Sequence, residues 1–296
     1  MEKIKAVWEL MRLEHGVMIF IAILIGSIIG LNGQGFLPWD KFLLTFFTAL
    51  FLEASTFALN DYYDLEIDKH NKREDRPLVR GDLQPRTALA LFFIFFPLGI
   101  ICAYFVNLTC FVIALVTAFL AILYDAKMKK IKLIGNFYIA YVMAIPFVFG
   151  GTSVLPSDVF SFDISPGIYI VALIAFLAGA GREIMKDVMD FEGDKEKGVK
   201  SFPRYIGVRW SNVVAGLFYF VAVFLSFLPF LSQRYILYYH NYLYFVFVLV
   251  TDIVLVFVSL QIIFSKKPDM KFYRRLSLVA IFIGLVAFLV GALVGV

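Results

Sequence analysis

The sequence predicts an all-α, polytopic membrane protein with nine transmembrane helices in a bundle, an internal repeat and cytoplasmic polar cap loops. The chain of 296 residues is 61% hydrophobic and only 17% charged, with a mean hydropathy of +0.85. Soluble domains are typically about 45–50% apolar and about 25% charged. Apolar runs of about 20 residues, the length that crosses a bilayer core as a helix, recur along the whole chain. We therefore expect membrane lipid to cover most of the surface.

The apolar runs leave no long soluble region, so we treat residues 1–296 as a single transmembrane domain. The first fifteen residues mix basic and apolar side chains, which predicts a short interfacial helix. No small-residue cleavage site follows the first span, and we expect that span to be a retained anchor. The predicted spans are approximately 16–33, 41–60, 86–106, 109–126, 134–154, 166–185, 210–231, 242–264 and 275–295.

The basic residues predict the orientation in the membrane. Of the 27 Lys and Arg residues, only Lys41 and Arg234 fall on one side, which leaves 25 on the other. The positive-inside rule makes the more basic side cytoplasmic, with the N-terminus inside and the C-terminus outside. This distribution accounts for the net charge of +4 without a nucleic-acid partner. Cys102 and Cys110 lie within apolar spans, and we expect neither a disulfide nor a metal site from them.

Two polar segments on the cytoplasmic side, residues 60–81 and 182–207, are copies of one motif. A shift of 126 positions aligns them without a gap, with seven identities in the 21 positions from 61 to 81. Internal repeats in membrane proteins often place a site between the two copies. The identical pairs are Asp61 and Asp187, Asp64 and Asp190, Glu66 and Glu192, Asp68 and Asp194, Lys69 and Lys195, Pro77 and Pro203, and Gly81 and Gly207.

The aspartates of each copy have the spacing of one helix face. At about 100° per helical residue, side chains three and then four positions apart lie within about 60° of one another. Clustered carboxylates repel one another unless a cation lies among them. Oxygen ligands without His or Cys favour a hard cation, and Mg²⁺ binds through a few carboxylates while leaving positions for phosphate oxygens. The spacing therefore predicts two facing acid clusters that hold a metal and a diphosphate, with nearby Arg and Lys contacting the phosphates.

These segments resemble the motifs of a known family. The stretches "NDYYDLEID" and "NKREDRPLVRG" resemble the first aspartate-rich motif of the UbiA superfamily of intramembrane prenyltransferases, and "KDVMDFEGDKEKGVKSFP" resembles the second. The segments "YDAKMKK" and "GNF" resemble the region that the family carries between the two motifs. The resemblance extends from the second span to the seventh. It implies Mg²⁺-dependent transfer of a prenyl chain from an isoprenoid diphosphate donor, and we expect two ions beside the diphosphate.

The resemblance also implies roles for individual residues. The expected metal ligands are Asn60, Asp61, Asp64, Asp68, Asp187, Asp190 and Asp194. The expected substrate contacts are Lys127, Lys129, Lys130, Arg76, Arg80, Lys186 and Asn136. Catalytic roles are expected for Asp64, Asp68, Asp190, Asp194 and Tyr124. The face of a tyrosine ring is suited to stabilise an allylic cation.

The acceptor of the prenyl chain has more than one candidate. Within the superfamily, "REIMKD" and the first motif are most similar to the archaeal members that attach a second geranylgeranyl chain to geranylgeranylglyceryl phosphate in ether-lipid synthesis. We expect that reaction. The segment "MRLEHGVMIF" has Leu13 where this group often has proline, and it is similar to relatives with aromatic acceptors. Prenylation of an aromatic acceptor such as 4-hydroxybenzoate, in quinone synthesis, is therefore the alternative.

A membrane transporter is a more distant alternative. An acid-lined repeat between broken spans would support transport. Here both acidic copies are expected on the same side of the membrane, and several spans are nearly free of charge, whereas a transport pathway needs polar groups across the bilayer.

Overall fold

The structure is a computed structural model that describes residues 2–128, 131–196 and 199–295, with side chains for 3–128, 131–193 and 199–295. Within these ranges the regular elements are helices, and nine helical stretches are long and apolar enough to cross a membrane. The helices are α1 (Glu2–Met11), α2 (Gly16–Leu31), α3 (Trp39–His70), α4 (Pro77–Arg80), α5 (Pro85–Val106), α6 (Leu108–Ala126), α7 (Lys132–Ser153), α8 (Pro166–Met189), α9 (Phe191–Glu196), α10 (Phe202–Ser226), α11 (Leu228–Leu231), α12 (Tyr242–Phe264) and α13 (Met270–Val294).

The nine predicted spans are confirmed, and the main differences are at the polar ends. Helix α3 continues to His70 instead of ending near residue 60. Residues 61–70 contain neither Gly nor Pro, so no residue there removes a backbone hydrogen bond or weakens the helix. The first acidic motif is therefore a helical extension of a membrane span, and its side chains have a fixed direction.

One end of the bundle collects both copies of the motif, and we call it the cap. The ends of α3, α6 and α8 lie there, together with the beginnings of α7 and α10, as hydrogen bonds between these elements show. The predicted N-terminal helix is confirmed as α1, and it covers the cap with Ala6 and Leu10 buried in a cluster with Leu65 and Leu78. Lys41 lies at the opposite end, where its Nζ donates to the Leu155 carbonyl at 3.2 Å.

The repeat found in the sequence is also present in the backbone. Pro77 and Pro203 each lie in the first turn of a helix, where the missing N–H of proline costs nothing. Gly81 and Gly207, the aligned glycines, have φ of +83° and +80°. Residues with a Cβ rarely adopt such a positive φ, so both copies favour glycine at the aligned position, although ψ differs, at 10° for Gly81 and 160° for Gly207.

The interior of the bundle depends on close approach of α2 and α7. A Cβ at Gly26 would lie 2.1 Å from the Phe147 carbonyl oxygen, and a Cβ at Gly150 would lie 2.1 Å from that of Ile23. Membrane helices associate through such small residues because lipid provides little hydrophobic driving force between helices. The two backbones therefore touch along this line, and the remaining helices pack around it.

This contact predicts different effects for two alanine substitutions on α2. Gly26→Ala forces a methyl group into the α7 backbone and should destabilise the fold by about 1–3 kcal/mol, as overpacking does. Gly16→Ala is the matched control, because its Cβ would meet only side chains, the flexible end of Leu50 at 3.0 Å and the Phe46 ring at 4.0 Å, and no backbone atom of another helix. Thermal unfolding of the detergent-purified proteins measures both. Equal melting temperatures for Gly26→Ala and the unsubstituted protein would show that the α2–α7 contact is looser than described.

Candidate active site

Helix α3 presents Asn60, Asp64 and Asp68 at the cap, all partly buried. The Asn60 side chain donates from Nδ2 to Oδ1 of Asp125, at the end of α6, over 2.6 Å. Asp68 Oδ2 lies 3.9 Å from Nε of Arg76, which follows α3 in the loop. The predicted clustering of the first motif on one helix is confirmed, and α6 adds a further carboxylate to it.

Asp61 faces two arginines and is only 2% exposed. Arg12 Nη2 donates to Asp61 Oδ1 over 2.8 Å, and Arg76 Nη1 lies 3.2 Å from the same oxygen. The Arg12 guanidinium also lies over the Phe57 ring, 4.1 Å from its centroid. Two cations offset the cost of burying this carboxylate. Its predicted role as a metal ligand stays a prediction.

Asp187, the counterpart of Asp61 in the second copy, is 1% exposed and contacts three residues of two other helices. Asn136 Nδ2 donates to Asp187 Oδ2 over 2.8 Å, the Phe202 N–H donates to the same oxygen over 3.4 Å, and Lys132 Nζ lies 3.7 Å from Oδ1. The first aspartate of each copy thus binds the residue fifteen positions later, Arg76 or Phe202. Both aspartates tie a cap loop to the bundle, and for Asp187 too the metal role stays a prediction.

The second copy is not one continuous helix, so the prediction that its three aspartates share one helix face is wrong. Helix α8 ends at Met189, Asp190 has φ −91° and ψ 2°, and α9 begins at Phe191. Gly193 stands where the first copy has Ile67, and glycine lowers the helix propensity of this segment. Asp190 therefore lies in a turn between two helices, partly buried.

Three predicted residues cannot be placed. Lys129 and Lys130 lie outside the described residues. Asp194 belongs to α9, but its side chain lies outside the described part of the chain. Their predicted roles stay predictions.

Tyr124, near the end of α6, lies between the two copies. It is within electrostatic range of carboxylates from both, Asp64 and Asp187, and of Glu183 on α8. Its ring stacks on Tyr138 of α7 with 4.7 Å between centroids. The ring also passes Gly135, where an added Cβ would lie 3.2 Å from it. Both copies of the acidic motif thus come near this tyrosine, and the predicted facing of their aspartates across a bound metal stays a prediction.

The tyrosines continue downward from the cap. The centroids of Tyr138 and Tyr141 are 6.5 Å apart, and the Tyr141 hydroxyl is 2.7 Å from that of Thr117. The sequence predicted a role in the reaction for Tyr124 but not for Tyr138, because one more aromatic residue in an apolar span is indistinguishable from a packing residue. It also missed Asp125, although the quoted segment "YDAKMKK" contains this residue.

The predicted phosphate contacts differ in their surroundings. Arg76 lies among Asp61, Asp68 and Asp75 and so stays beside the first acid cluster. Arg80 instead pairs with Glu9 of α1 and with Asp82, at 2.7 Å from the latter. Lys127 is exposed at the end of α6. The cap thus retains many bases beside its acids.

Two further basic residues of the cap, Lys186 and Arg73, lie beside acidic side chains. Lys186 Nζ lies 3.7 Å from Glu183. Arg73 donates two hydrogen bonds of 2.8 Å to Asp75 and lowers the pKa of that carboxyl to about 2. Asp75 therefore stays ionised at neutral pH.

The donor set fits a magnesium ion that is bound together with a substrate. Within the described side chains, no three His, Cys, Asp or Glu residues form a ready-made metal group. Mg²⁺ is usually held by one or two carboxylates plus substrate phosphates and water, so it needs no such group. Asp64, Asp68 and Asp190 supply carboxylates, and Asn60 an amide oxygen, at the partly exposed surface of the cap.

Two chambers lie below the cap. The small chamber, about 120 Å³, is bounded by α2, α3, α6 and α7, and Tyr138 lines it. The large chamber, about 420 Å³, is bounded mainly by α2, α7, α8, α10, α12 and α13. Glu53 of α3 lines both chambers, and its Oε1 lies 3.4 Å from His15 Nδ1. Both walls are mostly apolar, which suits long hydrocarbon chains.

Comparisons with known proteins agree with this architecture. Residues 19–281 match the model of the UbiA prenyltransferase family. The chain is 43% identical to the digeranylgeranylglyceryl phosphate synthase of Archaeoglobus fulgidus over 291 residues, which covers 98% of this chain and 96% of the relative. It is 34% identical to the synthase of the same name from Methanocaldococcus jannaschii, covering 99% and 98%.

Solved structures show the same fold. One described as digeranylgeranylglyceryl phosphate synthase in membranes superposes with a TM-score of 0.80 at 32% identity, covering 99% of each chain. A UbiA homologue from Archaeoglobus fulgidus bound to DMAPP and Mg²⁺ superposes with a TM-score of 0.62 at 18% identity, covering 95% of this chain and 98% of that one. With the family match over most of its length and relatives that it covers almost end to end, this multi-pass membrane protein belongs to the UbiA prenyltransferase family.

Proposed function

We propose that this protein transfers the geranylgeranyl chain of geranylgeranyl diphosphate to geranylgeranylglyceryl phosphate, giving digeranylgeranylglyceryl phosphate. The observation that carries the proposal is the meeting of both copies at α6 and α7. Asn60 of the first copy donates to Asp125 over 2.6 Å, Asn136 donates to Asp187 of the second over 2.8 Å, and the ring of Tyr124, next to Asp125, passes Gly135, next to Asn136. A single diphosphate at this place can be reached from both copies. The names of the relatives support the choice of donor and acceptor.

In this proposal the donor diphosphate binds at the cap between α3 and the turn at Asp190. Asn60, Asp64, Asp68 and Asp190 would hold Mg²⁺, two ions in our expectation. Bound Mg²⁺ supplies positive charge that stabilises the departing diphosphate. Arg76, Lys127 and Lys186 contact the phosphates, and each well-placed cation or donor is typically worth about 3 kcal/mol in the transition state.

Breaking the allylic C–O bond sends its electron pair to the diphosphate and leaves an allylic cation. The stacked faces of Tyr124 and Tyr138 lie below the cap, where they stabilise a cation by its attraction to the aromatic ring. The apolar chambers keep water away from the cation, which water would otherwise quench. Tyr138 therefore joins Tyr124 among the residues assigned to the reaction.

The acceptor hydroxyl then attacks the terminal allylic carbon and forms the ether bond. Its proton passes to the departing diphosphate or to a carboxylate near the cap. The cap faces the cytoplasm in this proposal, because it carries most of the basic residues, and the C-terminus lies outside.

The acid residues should be essential for turnover and not for folding. Asp64→Asn and Asp190→Asn each remove a charge from the metal site and should lower kcat by at least about a hundredfold. Glu66→Gln is the control, since Glu66 lies on the same helix with a side chain that is 84% exposed. Prenyl transfer by the purified proteins, with unfolding curves alongside, measures the effect. Wild-type turnover by either aspartate variant would remove that residue from the metal site.

The acceptor can be determined directly. With geranylgeranyl diphosphate as donor, we expect product when geranylgeranylglyceryl phosphate is offered and none with 4-hydroxybenzoate. Chromatography of radiolabelled product separates the two. Product with the aromatic acid alone would replace our acceptor with the aromatic one while leaving the family assignment unchanged.

A further inference from the structure

Arg182 and Arg274 bring two guanidinium groups together beside the cap end of the large chamber. Arg182 of α8 lines the chamber. Arg274 of α13 lies one helical turn before Leu278, which also lines the chamber. The two arginines interact electrostatically with each other and with Tyr219, which is fully buried beside them. The reaction as described above gives this pair of cations no task.

The surrounding side chains do not neutralise the pair. The Nε atoms of Arg182 and Arg274 are both buried, and within the described residues neither has a hydrogen-bond partner. Glu183 lies 3.6 Å from Arg182, but it also lies 3.7 Å from Lys186. Among the described side chains, one carboxylate beside three cations leaves a local charge of about +2. Like charges near an apolar chamber repel one another strongly, so this place favours an anion.

We propose that Arg182 and Arg274 bind the phosphomonoester headgroup of the prenyl acceptor, whose hydrocarbon tail occupies the large chamber. This inference rests on the proposed function. A phosphomonoester carries about −1.5 to −2 charges at pH 7, which matches the local excess of positive charge. Guanidinium groups also suit it because they donate two parallel hydrogen bonds to phosphate oxygens.

This anion site is separate from the diphosphate site. Arg182 lies on α8 eight positions before Asp190, where the proposed diphosphate site begins. Eight residues correspond to about 12 Å along a helix axis. The two phosphate groups would therefore contact different parts of α8, which allows donor and acceptor to bind together.

The test is a comparison of Michaelis constants. Arg274→Gln and Arg182→Gln should each raise KM for geranylgeranylglyceryl phosphate about ten- to hundredfold, the usual effect of losing a charge-assisted hydrogen bond. KM for the donor should stay unchanged. Arg275→Gln is the matched control, because Arg275 is the exposed neighbour of Arg274 on the same helix. Arg274→Lys should restore part of the loss.

A phosphate-free acceptor makes the test specific. For the unsubstituted protein, geranylgeranylglycerol should have a KM raised by a similar factor, and Arg274→Gln should raise it no further. Should the variants not fold, glycerol phosphate can be added to the unsubstituted protein. It should compete with the acceptor and not with the donor.

Several results would overturn the inference while leaving the proposed function intact. These are unchanged KM for the acceptor in both variants, a rise in KM for the donor instead, or equal use of acceptors with and without phosphate. Weaker binding to vesicles of anionic phospholipid, without a change in acceptor KM, would make the pair a contact for membrane lipid. Failure of the unsubstituted protein to prenylate any phosphorylated lipid would instead refute the proposed function.

Discussion

Carboxylates crowded at one end of an apolar bundle must be offset by cations or donors, and the architecture of the cap follows from this constraint. The two most buried ones, Asp61 and Asp187, are offset by residues of the protein itself. Asp61 holds the loop that follows it against the bundle through Arg76, and Asp187 does the same through Phe202. Asp64 and Asp68 on α3 and Asp190 after α8 stay partly exposed at the same cap. Under the proposed function, the inner aspartates hold the cap together and the outer ones bind the metal and diphosphate.

Below the cap, the close packing of two helices shapes the apolar chambers that the proposed prenyl transfer uses. Gly26 and Gly150 let α2 and α7 touch, so the bundle is tight along this line and open on both sides of it. The small chamber lies on one side and the large chamber on the other, with Glu53 lining both. A dry space connected to a charged cap suits a reaction that separates an allylic cation from a diphosphate.

The sequence alone predicted the nine spans and the repeat, because hydropathy and ungapped identities are local signals. It could not predict the break at Asp190, since the two copies share the same aspartate spacing, and none of their differences, such as Gly193 in place of Ile67, marks a helix end by itself. Contacts between distant positions were also out of reach. Arg12 lies 49 positions before Asp61. Arg274 is near the start of α13, where the positive-inside rule already accounts for the basic residues. These residues become informative only when folding brings them beside the motif or the chamber.

The central claim is that both acidic copies hold one metal–diphosphate group, and locating the metal tests it most directly. Mn²⁺ can replace Mg²⁺ and is visible by its anomalous scattering in crystals grown with a non-hydrolysable allylic diphosphate. The account predicts anomalous peaks between Asp64 on α3 and Asp190 after α8, each ion touching both a carboxylate and a phosphate oxygen. Peaks confined to one copy of the motif would contradict this claim. Peaks at Asp61 or Asp187, with the metal replacing the protein partners of these carboxylates, would also contradict it.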